Sequence, residues 1–152
     1  MLHFDKSGYL IPDAPIEIDL LTFEKIFVFN DHRRKLFNEY LNLINLLSGL
    51  GIGNYFQWVD GSFVSQKPMP QDIDIVTFVN YRNFPDLENV LSALFVNSTG
   101  IDCYFVISYP EEHPSHNVYK LDIAEWRFLF STTRRDKKTG KRVKKGFIQL
   151  NF

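Results

Sequence analysis

Cysteine is nearly absent from this sequence, since its 152 residues include a single cysteine, Cys103. One cysteine cannot form a disulfide within the chain, and disulfides are typical of secreted proteins. Long apolar runs are also missing, because no stretch approaches the roughly 18 to 20 residues that a membrane-spanning helix needs. The first residues include Asp5 and lack the basic-then-apolar pattern of a signal peptide. We therefore expect a cytoplasmic protein without a membrane partner.

Internal repeats, low-complexity tracts and linker-like stretches are absent as well. Hydrophobic residues make up 45% of the chain and charged residues 23%, which is ordinary for a globular protein long enough to bury a core. We predict one domain over residues 1–152. It would consist of a lead-in segment (1–31), a core (32–108), and a C-terminal helix followed by a basic hairpin (109–152).

Charge is unevenly distributed, although the net charge at pH 7 is only -1. Residues 134–146, RRDKKTGKRVKKG, hold eight of the 17 basic residues and one of the 18 acidic residues, a local net charge of +7. The remainder has nine basic and 17 acidic residues, a net charge of -8. A concentrated basic segment on an acidic body indicates a local anion site.

Apolar spacing predicts an α+β fold, a mixed central sheet flanked by helices. Prolines make the first 19 residues an extended lead-in, and Asp19 is a candidate cap for a stretch beginning at Leu20. A long helix is predicted from His32 to about Leu50, ended by glycines. Its apolar positions at helical spacing are Leu36, Phe37, Tyr40, Leu43, Ile44 and Leu47. Strands are predicted at 54–59, 71–80, 101–109 and 146–152, helices at 84–98 and 121–132, and a loop at 110–120.

Two aspartates, Asp72 and Asp74, stand inside the apolar stretch QDIDIVTFVN. Strand side chains alternate between faces, so both carboxylates point the same way while Ile73 and Ile75 point into the core. Neighbouring carboxylates repel, and an unpaired buried carboxylate is costly or takes up a proton. A divalent cation removes that cost, and Mg²⁺ is commonly held by one or two carboxylates and substrate phosphates. The pattern therefore predicts a Mg²⁺ site.

Neighbouring residues extend this candidate site. Asp102 begins the next predicted strand and would reach the same metal cluster if the two strands are neighbours, with Cys103 turned toward the core. Two metal ions can clamp the attacking and leaving oxygens of a phosphoryl displacement. Gly61 allows close backbone approach to a ligand, and Ser62 offers a hydroxyl and N–H groups to a phosphate. Lys67 adds a positive charge nearby.

Gly61-Ser62, followed after nine residues by Asp72-Ile73-Asp74-Ile75, resembles the signature of the DNA polymerase beta-like nucleotidyltransferase superfamily. That signature is Gly-Gly or Gly-Ser, a short spacer, then Asp-hydrophobic-Asp/Glu-hydrophobic. With the flanking elements, the resemblance accounts for residues 32–108. More narrowly, GYLIP, WVDGSFVSQKPMPQDIDI and the C-terminal WRFLF, RR and KKGFIQLNF together resemble an uncharacterised bacterial branch of minimal nucleotidyltransferases, many of which belong to toxin–antitoxin or defence systems.

The resemblance implies a small nucleotidyltransferase fold and a Mg²⁺-dependent enzyme, with Mn²⁺ as the alternative ion. Such an enzyme transfers a nucleoside monophosphate from an NTP to an RNA end, for example of tRNA, or to a protein side chain, and releases pyrophosphate. Gly61 and Ser62, with Lys67 nearby, would hold the triphosphate. Asp72, Asp74 and Asp102 would bind the metal, and Asp102 would activate the acceptor hydroxyl.

Several alternatives remain open at this point. Asp122 is a rival to Asp102 as the third carboxylate. The chain is alternatively a non-catalytic nucleotide-binding or antitoxin-like module with a cognate toxin or antitoxin as partner. Residues 134–146 bind RNA phosphates, fold back onto the NTP triphosphate, or form a solvated hairpin tip with its turn at Thr139 and Gly140. The candidates for the triphosphate contact are Arg134, Arg135, Lys144 and Lys145.

Other noticeable residues have simpler interpretations. His113 and His116 lack nearby Cys or His partners, so we expect no metal there. Trp58 and Trp126 are expected to be core or interface aromatics rather than base-stacking platforms. We expect Arg33 and Arg34 to lie on a solvated helix face. We expect Asp60 to be a turn residue rather than a fourth acid at the site.

Overall fold

The fold is described by a computed structural model that covers residues 2–83 and 99–152. Within those ranges the chain forms three α-helices, seven strands and two short 3-10 helices, Gly61–Val64 and Tyr81–Asn83. The α-helices and strands are, in chain order, β1 (His3–Phe4), β2 (Leu10–Ile11), β3 (Pro15–Glu17), α1 (Leu20–Phe27), α2 (Asp31–Gly49), β4 (Phe56–Asp60), β5 (Ile73–Asn80), β6 (Ile101–Ser108), α3 (His116–Phe130) and β7 (Phe147–Asn151). The helix predicted at 84–98 lies outside the described residues.

Five strands form one mixed sheet in the order β3-β7-β4-β5-β6. The β3–β7 and β5–β6 pairs are parallel, and β4 is antiparallel to both of its neighbours. The predicted α+β class with a mixed central sheet is thus confirmed. The extended lead-in was only partly right, because β1 and β2 form a small hairpin and β3 joins the main sheet.

Side-chain caps begin the first two helices. Asp19 accepts a hydrogen bond from the backbone N–H of Thr22 at 2.7 Å, which confirms the predicted cap of α1. Asn30 accepts from the backbone N–H of Arg33 at 2.9 Å and begins α2. The apolar face predicted for α2 is confirmed, with Leu36, Phe37, Tyr40, Leu43 and Leu47 all buried.

The sheet has two differently covered faces. One face packs against α1 and α2 in the larger core, where Val59, Ile73 and Ile75 are fully buried. The opposite face packs against α3 in a second, mostly aromatic core. The buried members of that core are Trp58, Val76, Phe78, Val106, Phe130 and Phe147, with Tyr119, Ile123 and Trp126 partly buried beside them.

Helix α3 begins five residues before the predicted start at 121, so the loop predicted at 110–120 was wrong in its second half. Backbone N–H groups of Val118 and Tyr119 already donate to the carbonyl of Ser115. His116 Nδ1 lies 2.9 Å from the carbonyl oxygen of Tyr109, which ties the start of α3 to the segment after β6.

No helix among the described residues is both long and apolar enough to cross a membrane.

Candidate functional site

Three aspartates lie in a row at one end of the sheet. In the strand register, Asp60 of β4 is opposite Asp74 of β5, and Asp74 is beside Asp102 of β6. Residues paired in register project to the same face, and neighbouring strands are about 4.8 Å apart. The sheet therefore brings together carboxylates that are up to 42 positions apart in the printed sequence.

Asp74 is the centre of this row, and the charges of two other aspartates act on it. Burial raises the pKa of Asp74 above its ordinary value, and the carboxylates of Asp72 and Asp102 raise it further. Among the described residues, no hydrogen bond or ion pair reaches the Asp74 side chain. A half-buried carboxylate with acidic neighbours and no donor is electrostatically unfavourable by itself.

Asp60 was expected in a turn, and that expectation was wrong. It is the last residue of β4, only 6% exposed, and it forms an ion pair with Nζ of Lys145. Burial raises the pKa of Asp60 to about 6, while Lys145 and the backbone N–H of Gly61 act in the opposite direction. The alternation of Phe56, Trp58 and Asp60 along β4 was a signal that could have placed this acid on the sheet face.

A tight turn follows Asp60 directly. Gly61 has φ +76°, a conformation that side-chain-bearing residues rarely adopt, and a Cβ atom there would overlap Oδ2 of Asp74. The glycine is therefore required twice, once for the turn and once for its close approach to Asp74. Ser62 follows in the 3-10 helix, and its carbonyl accepts the Ser65 hydroxyl at 2.7 Å.

Arg33 of α2 forms hydrogen bonds with this turn, so the expectation that Arg33 lies on a solvated helix face was wrong. Its side chain is fully buried, and its guanidinium donates to the carbonyl of Phe63 at 2.7 and 2.9 Å and of Ser65 at 2.8 Å. The same group lies over the rings of Phe29 and Phe63. Arg34 is half exposed and pairs with Glu24.

Burial lowers the pKa of Arg33 to about 10, so the group stays charged at neutral pH. Its Nε atom has no hydrogen-bond partner in the part of the chain that the structure describes. No carboxylate pairs with Arg33 among the described residues. The turn around Ser62 is therefore bound by a buried, positively charged guanidinium.

The basic segment forms an irregular hairpin whose base faces the acids. Thr133 N–H donates to the carbonyl of Val143 at 2.8 Å, and Gly140, at φ +68°, lies at the tip as predicted. The charge of Arg134 lowers the pKa of Asp74, as does that of Lys145. Lys145 is buried, and its ammonium also donates to the carbonyl of Phe130 at 2.9 Å.

The four basic residues predicted to contact a triphosphate thus separate into different environments. Lys144, next to the buried Lys145, is 80% exposed and pairs with Asp13. Arg135 is exposed and makes no ion pair with the described residues. Only Arg134 combines exposure with an influence on Asp74.

The remaining predicted residues lie around this centre. Cys103 turns away from the acids, with Sγ 3.7 Å from the Thr77 hydroxyl, and burial raises the pKa of its thiol to about 12. Asp102 accepts a hydrogen bond from the Tyr104 hydroxyl at 3.3 Å. Asp122 lies on α3 and is not among the charges that shift Asp74. Ser62 and Lys67 line one surface groove.

The acidic residues around Asp74 suit a divalent cation because of their electrostatics, not because their side chains already converge as ligands. Within residues 2–83 and 99–152, no three or more His, Cys, Asp or Glu side chains already converge as metal ligands. Asp74, however, combines partial burial, two acidic neighbours and a carboxylate that pairs with no cation within residues 2–83 and 99–152. Carboxylate oxygens are the ligands that Mg²⁺ and Mn²⁺ prefer, so these residues fit such an ion.

Comparisons with known proteins identify a family but no function. Residues 2–151 match the model of a protein family described as a family of unknown function (DUF6932). No curated protein and no solved structure matches the chain.

Proposed function

Because the chain belongs to the DUF6932 family, whose function is unknown, we propose a function from its site: a nucleotidyltransferase dependent on Mg²⁺ or Mn²⁺. It transfers a nucleoside monophosphate from an NTP to a hydroxyl of an RNA end or a protein side chain. The observation that carries this proposal is the contact between the Gly61 turn and Asp74, with Asp102 in register beside it. The turn proposed to bind phosphate therefore contacts the row of carboxylates directly, through Gly61 and Asp74.

The carboxylates provide the cation site in this proposal. Asp72 and Asp74, with Asp102, would hold the ion, and the ion when bound supplies positive charge at the phosphoryl oxygens. The carboxylates in turn lose their mutual repulsion, which otherwise raises the pKa of Asp74. The same three residues therefore explain both the need for a cation and its position.

Asp102 also serves as the general base. Its Oδ2 accepts the Tyr104 hydroxyl at 3.3 Å, which orients the carboxylate and leaves the other oxygen for the acceptor hydroxyl. The acceptor oxygen forms a bond to the α-phosphorus, the bond from that phosphorus to pyrophosphate breaks, and the hydroxyl proton passes to Asp102. The turn at Gly61 and Ser62, with Lys67 nearby, binds the phosphates that leave.

A second candidate function is a module that binds nucleotide without turnover, as in an antitoxin-like partner of a bacterial defence or toxin–antitoxin system. The observation that favours it is the lack of a converged ligand set in the described residues. Asp60, moreover, is already neutralised by Lys145. This candidate predicts nucleotide binding with no transfer to any acceptor.

The test uses α-labelled ATP, CTP, GTP and UTP separately, with Mg²⁺, and with either total tRNA or cell-lysate protein as acceptor. Label should enter one acceptor class with the wild type, and Asp74→Asn should reduce transfer at least about a thousandfold, equivalent to ~4 kcal/mol. Asp122→Asn is the matched control and should retain activity.

Near-wild-type transfer by Asp74→Asn would refute the mechanism. Loss of transfer in Asp122→Asn instead of Asp102→Asn would move the role of general base to α3. Nucleotide binding by calorimetry with no label in any acceptor would support the non-catalytic module.

A further inference from the structure

A polar groove of about 480 Å³ lies beside the turn that follows β4. One wall is formed by Ser62, Ser65 and Lys67, and the facing wall by Lys6, Ser7 and Gly8 of the turn between β1 and β2. Its volume is within the range of small-molecule sites, roughly 300 to 1,000 Å³. The groove therefore joins the turn predicted to bind phosphate to the N-terminal segment, for which the sequence predicts only an extended lead-in.

We propose that Lys6 and Ser7 form the second wall of a polyphosphate site, in which they bind the triphosphate of a nucleotide opposite Ser62 and Lys67. The inference rests on the proposed function for the identity of the ligand. It assigns to the N-terminal hairpin a binding role that the motif at Gly61 and Asp74 does not require.

The hairpin wall is held in place by the backbone. The N–H of Gln66 donates to the carbonyl of Gly8 at 3.1 Å, which joins the two walls at the base of the groove. Gly8 has φ +80°, and a Cβ atom there would lie 3.1 Å from Cβ of Gln66. The carboxylate of Asp5 accepts the N–H groups of Ser7 and Tyr9 at 2.8 and 2.9 Å. The turn is thus preorganised against the opposite wall.

The lining has the chemistry that a polyanion requires. Two lysines and three serines line the groove, and no carboxylate lines it in the described part of the chain. Lys6 and Lys67 are both exposed, and neither pairs with a described acid. Ammonium groups bind phosphate oxygens through charge-assisted hydrogen bonds. The nearby carboxylate of Asp5 is occupied by the backbone N–H groups of its own turn.

The groove is adjacent along the chain to the residue that contacts Asp74. Ser62 lines the groove, and the preceding residue, Gly61, approaches Asp74 so closely that a Cβ would overlap the carboxylate. Consecutive residues, Gly61 and Ser62, therefore form the contact with Asp74 and a part of the groove wall. A chain of three phosphates anchored by Lys6 and Lys67 extends from the groove toward Asp74.

The experiment measures binding by calorimetry, with tripolyphosphate and with a non-hydrolysable ATP analogue as probes. Lys6→Ala and Lys67→Ala should each weaken tripolyphosphate binding about tenfold, the usual loss of one charge-assisted hydrogen bond. Lys35→Ala is the matched control, because it removes the same charge from an exposed position on α2. It should change the affinity less than about twofold.

Ser7→Ala should weaken the same binding by a smaller factor, since a neutral hydroxyl contributes less than an ammonium group. Adenosine without phosphates should show no difference among these variants. If Lys6→Ala behaves like Lys35→Ala while Lys67→Ala weakens binding, the second wall does not exist and the proposal is wrong.

The outcome separates this inference from the proposed function. If transfer depends on Asp74 but Lys6→Ala leaves the KM for NTP unchanged, the proposed function is supported. The proposed polyphosphate site in the groove is then wrong. Tripolyphosphate binding that depends on Lys6 and Lys67, in a protein that transfers no label, would support the groove and refute the transferase.

Discussion

The two faces of the central sheet handle buried polar groups in opposite ways. On the face covered by α1 and α2, the buried polar side chains of β4 and β5 are neutral and form a chain of hydrogen bonds with α2. Tyr40 donates to Gln57 at 2.5 Å, and Gln57 donates to Thr77 at 2.9 Å. On the opposite face, Asp60, Asp74 and Asp102 follow the aromatic core as charged groups in a row.

The difference separates a structural polar network from a candidate site. A buried chain of satisfied neutral groups stabilises one packing arrangement and needs no ligand. Burial and then the carboxylates of Asp72 and Asp102 raise the pKa of Asp74, and within the row only Asp60 has a cationic partner at salt-bridge distance among the described residues. The acidic face thus keeps an unfavourable feature that a bound cation removes, and three substitutions test this comparison.

The largest effect is expected at Lys145, the buried cation of the acidic face. Lys145→Met leaves Asp60 buried without its partner and should lower the free energy of unfolding by about 3 kcal/mol at pH 8. Lys144→Met is the control, because its exposed ion pair with Asp13 should contribute less than about 1 kcal/mol. Urea denaturation of both variants measures the difference.

The pH dependence of this effect has a definite sign. Burial raises the pKa of Asp60 to about 6 in the folded wild type, above its value in the unfolded chain. The folded state therefore binds more protons between about pH 4 and pH 6, and stability falls as pH rises through that window. Removing Lys145 raises this pKa further, so the deficit of Lys145→Met should grow from pH 5 to pH 8. A deficit that shrinks instead would mean that Asp60 is not charged in the pair.

An intermediate effect is expected at Gly61, with Gly140 as its counterpart. Both have φ near +70°, so alanine at either position should cost about 1 to 2 kcal/mol of stability. A Cβ at Gly140 meets nothing within 4 Å, whereas a Cβ at Gly61 forces the Asp74 carboxylate to move. Gly61→Ala should therefore lose about a hundredfold in transfer, and Gly140→Ala should lose none.

Denaturation and transfer assays on the same two preparations separate the readouts. Equal activity of both alanine variants would show that the position of the Asp74 carboxylate does not matter for the reaction. Unequal stability with equal activity would assign Gly61 to folding alone.

Local patterns predicted much of this fold. The alternation of DIDI gave the correct faces for Ile73 and Ile75, and the helical spacing gave the buried face of α2, because both depend only on near neighbours along the chain. The condition set for Asp102, that its strand neighbours the strand of Asp74, is met by the parallel β5–β6 pair.

Contacts between residues that are distant in the sequence were not predicted. Arg33 bonds to carbonyls 30 and 32 residues away, and Lys145 reaches Asp60 across 85 residues. Charged residues are rarely buried unless paired, so a solvated face was the reasonable expectation for Arg33. Nothing local distinguishes Lys145 from the exposed Lys144 beside it, because the distinction arises when β7 pairs between β3 and β4.

The smallest effect is expected at Arg134, which approaches the acidic face from the hairpin. Its charge lowers the pKa of Asp74, while burial, Asp72 and Asp102 raise that pKa. Arg134→Ala should therefore raise the pKa of Asp74 further, so that the carboxylate loses its proton at a higher pH. Carboxyl ¹³C NMR of the metal-free protein measures the shift, and the exposed neighbour Arg135 provides the control through Arg135→Ala.

Salt sharpens this last comparison. Arg134 is exposed, and exposed charges are screened beyond about 8 Å at physiological ionic strength. The difference between wild type and Arg134→Ala should therefore shrink as salt is added, whereas the influence of the buried Lys145 should persist. If the pKa of Asp74 is the same in both arginine variants, Arg134 does not act on Asp74. Lys145 is then the basic residue of this segment that contributes to the acidic face.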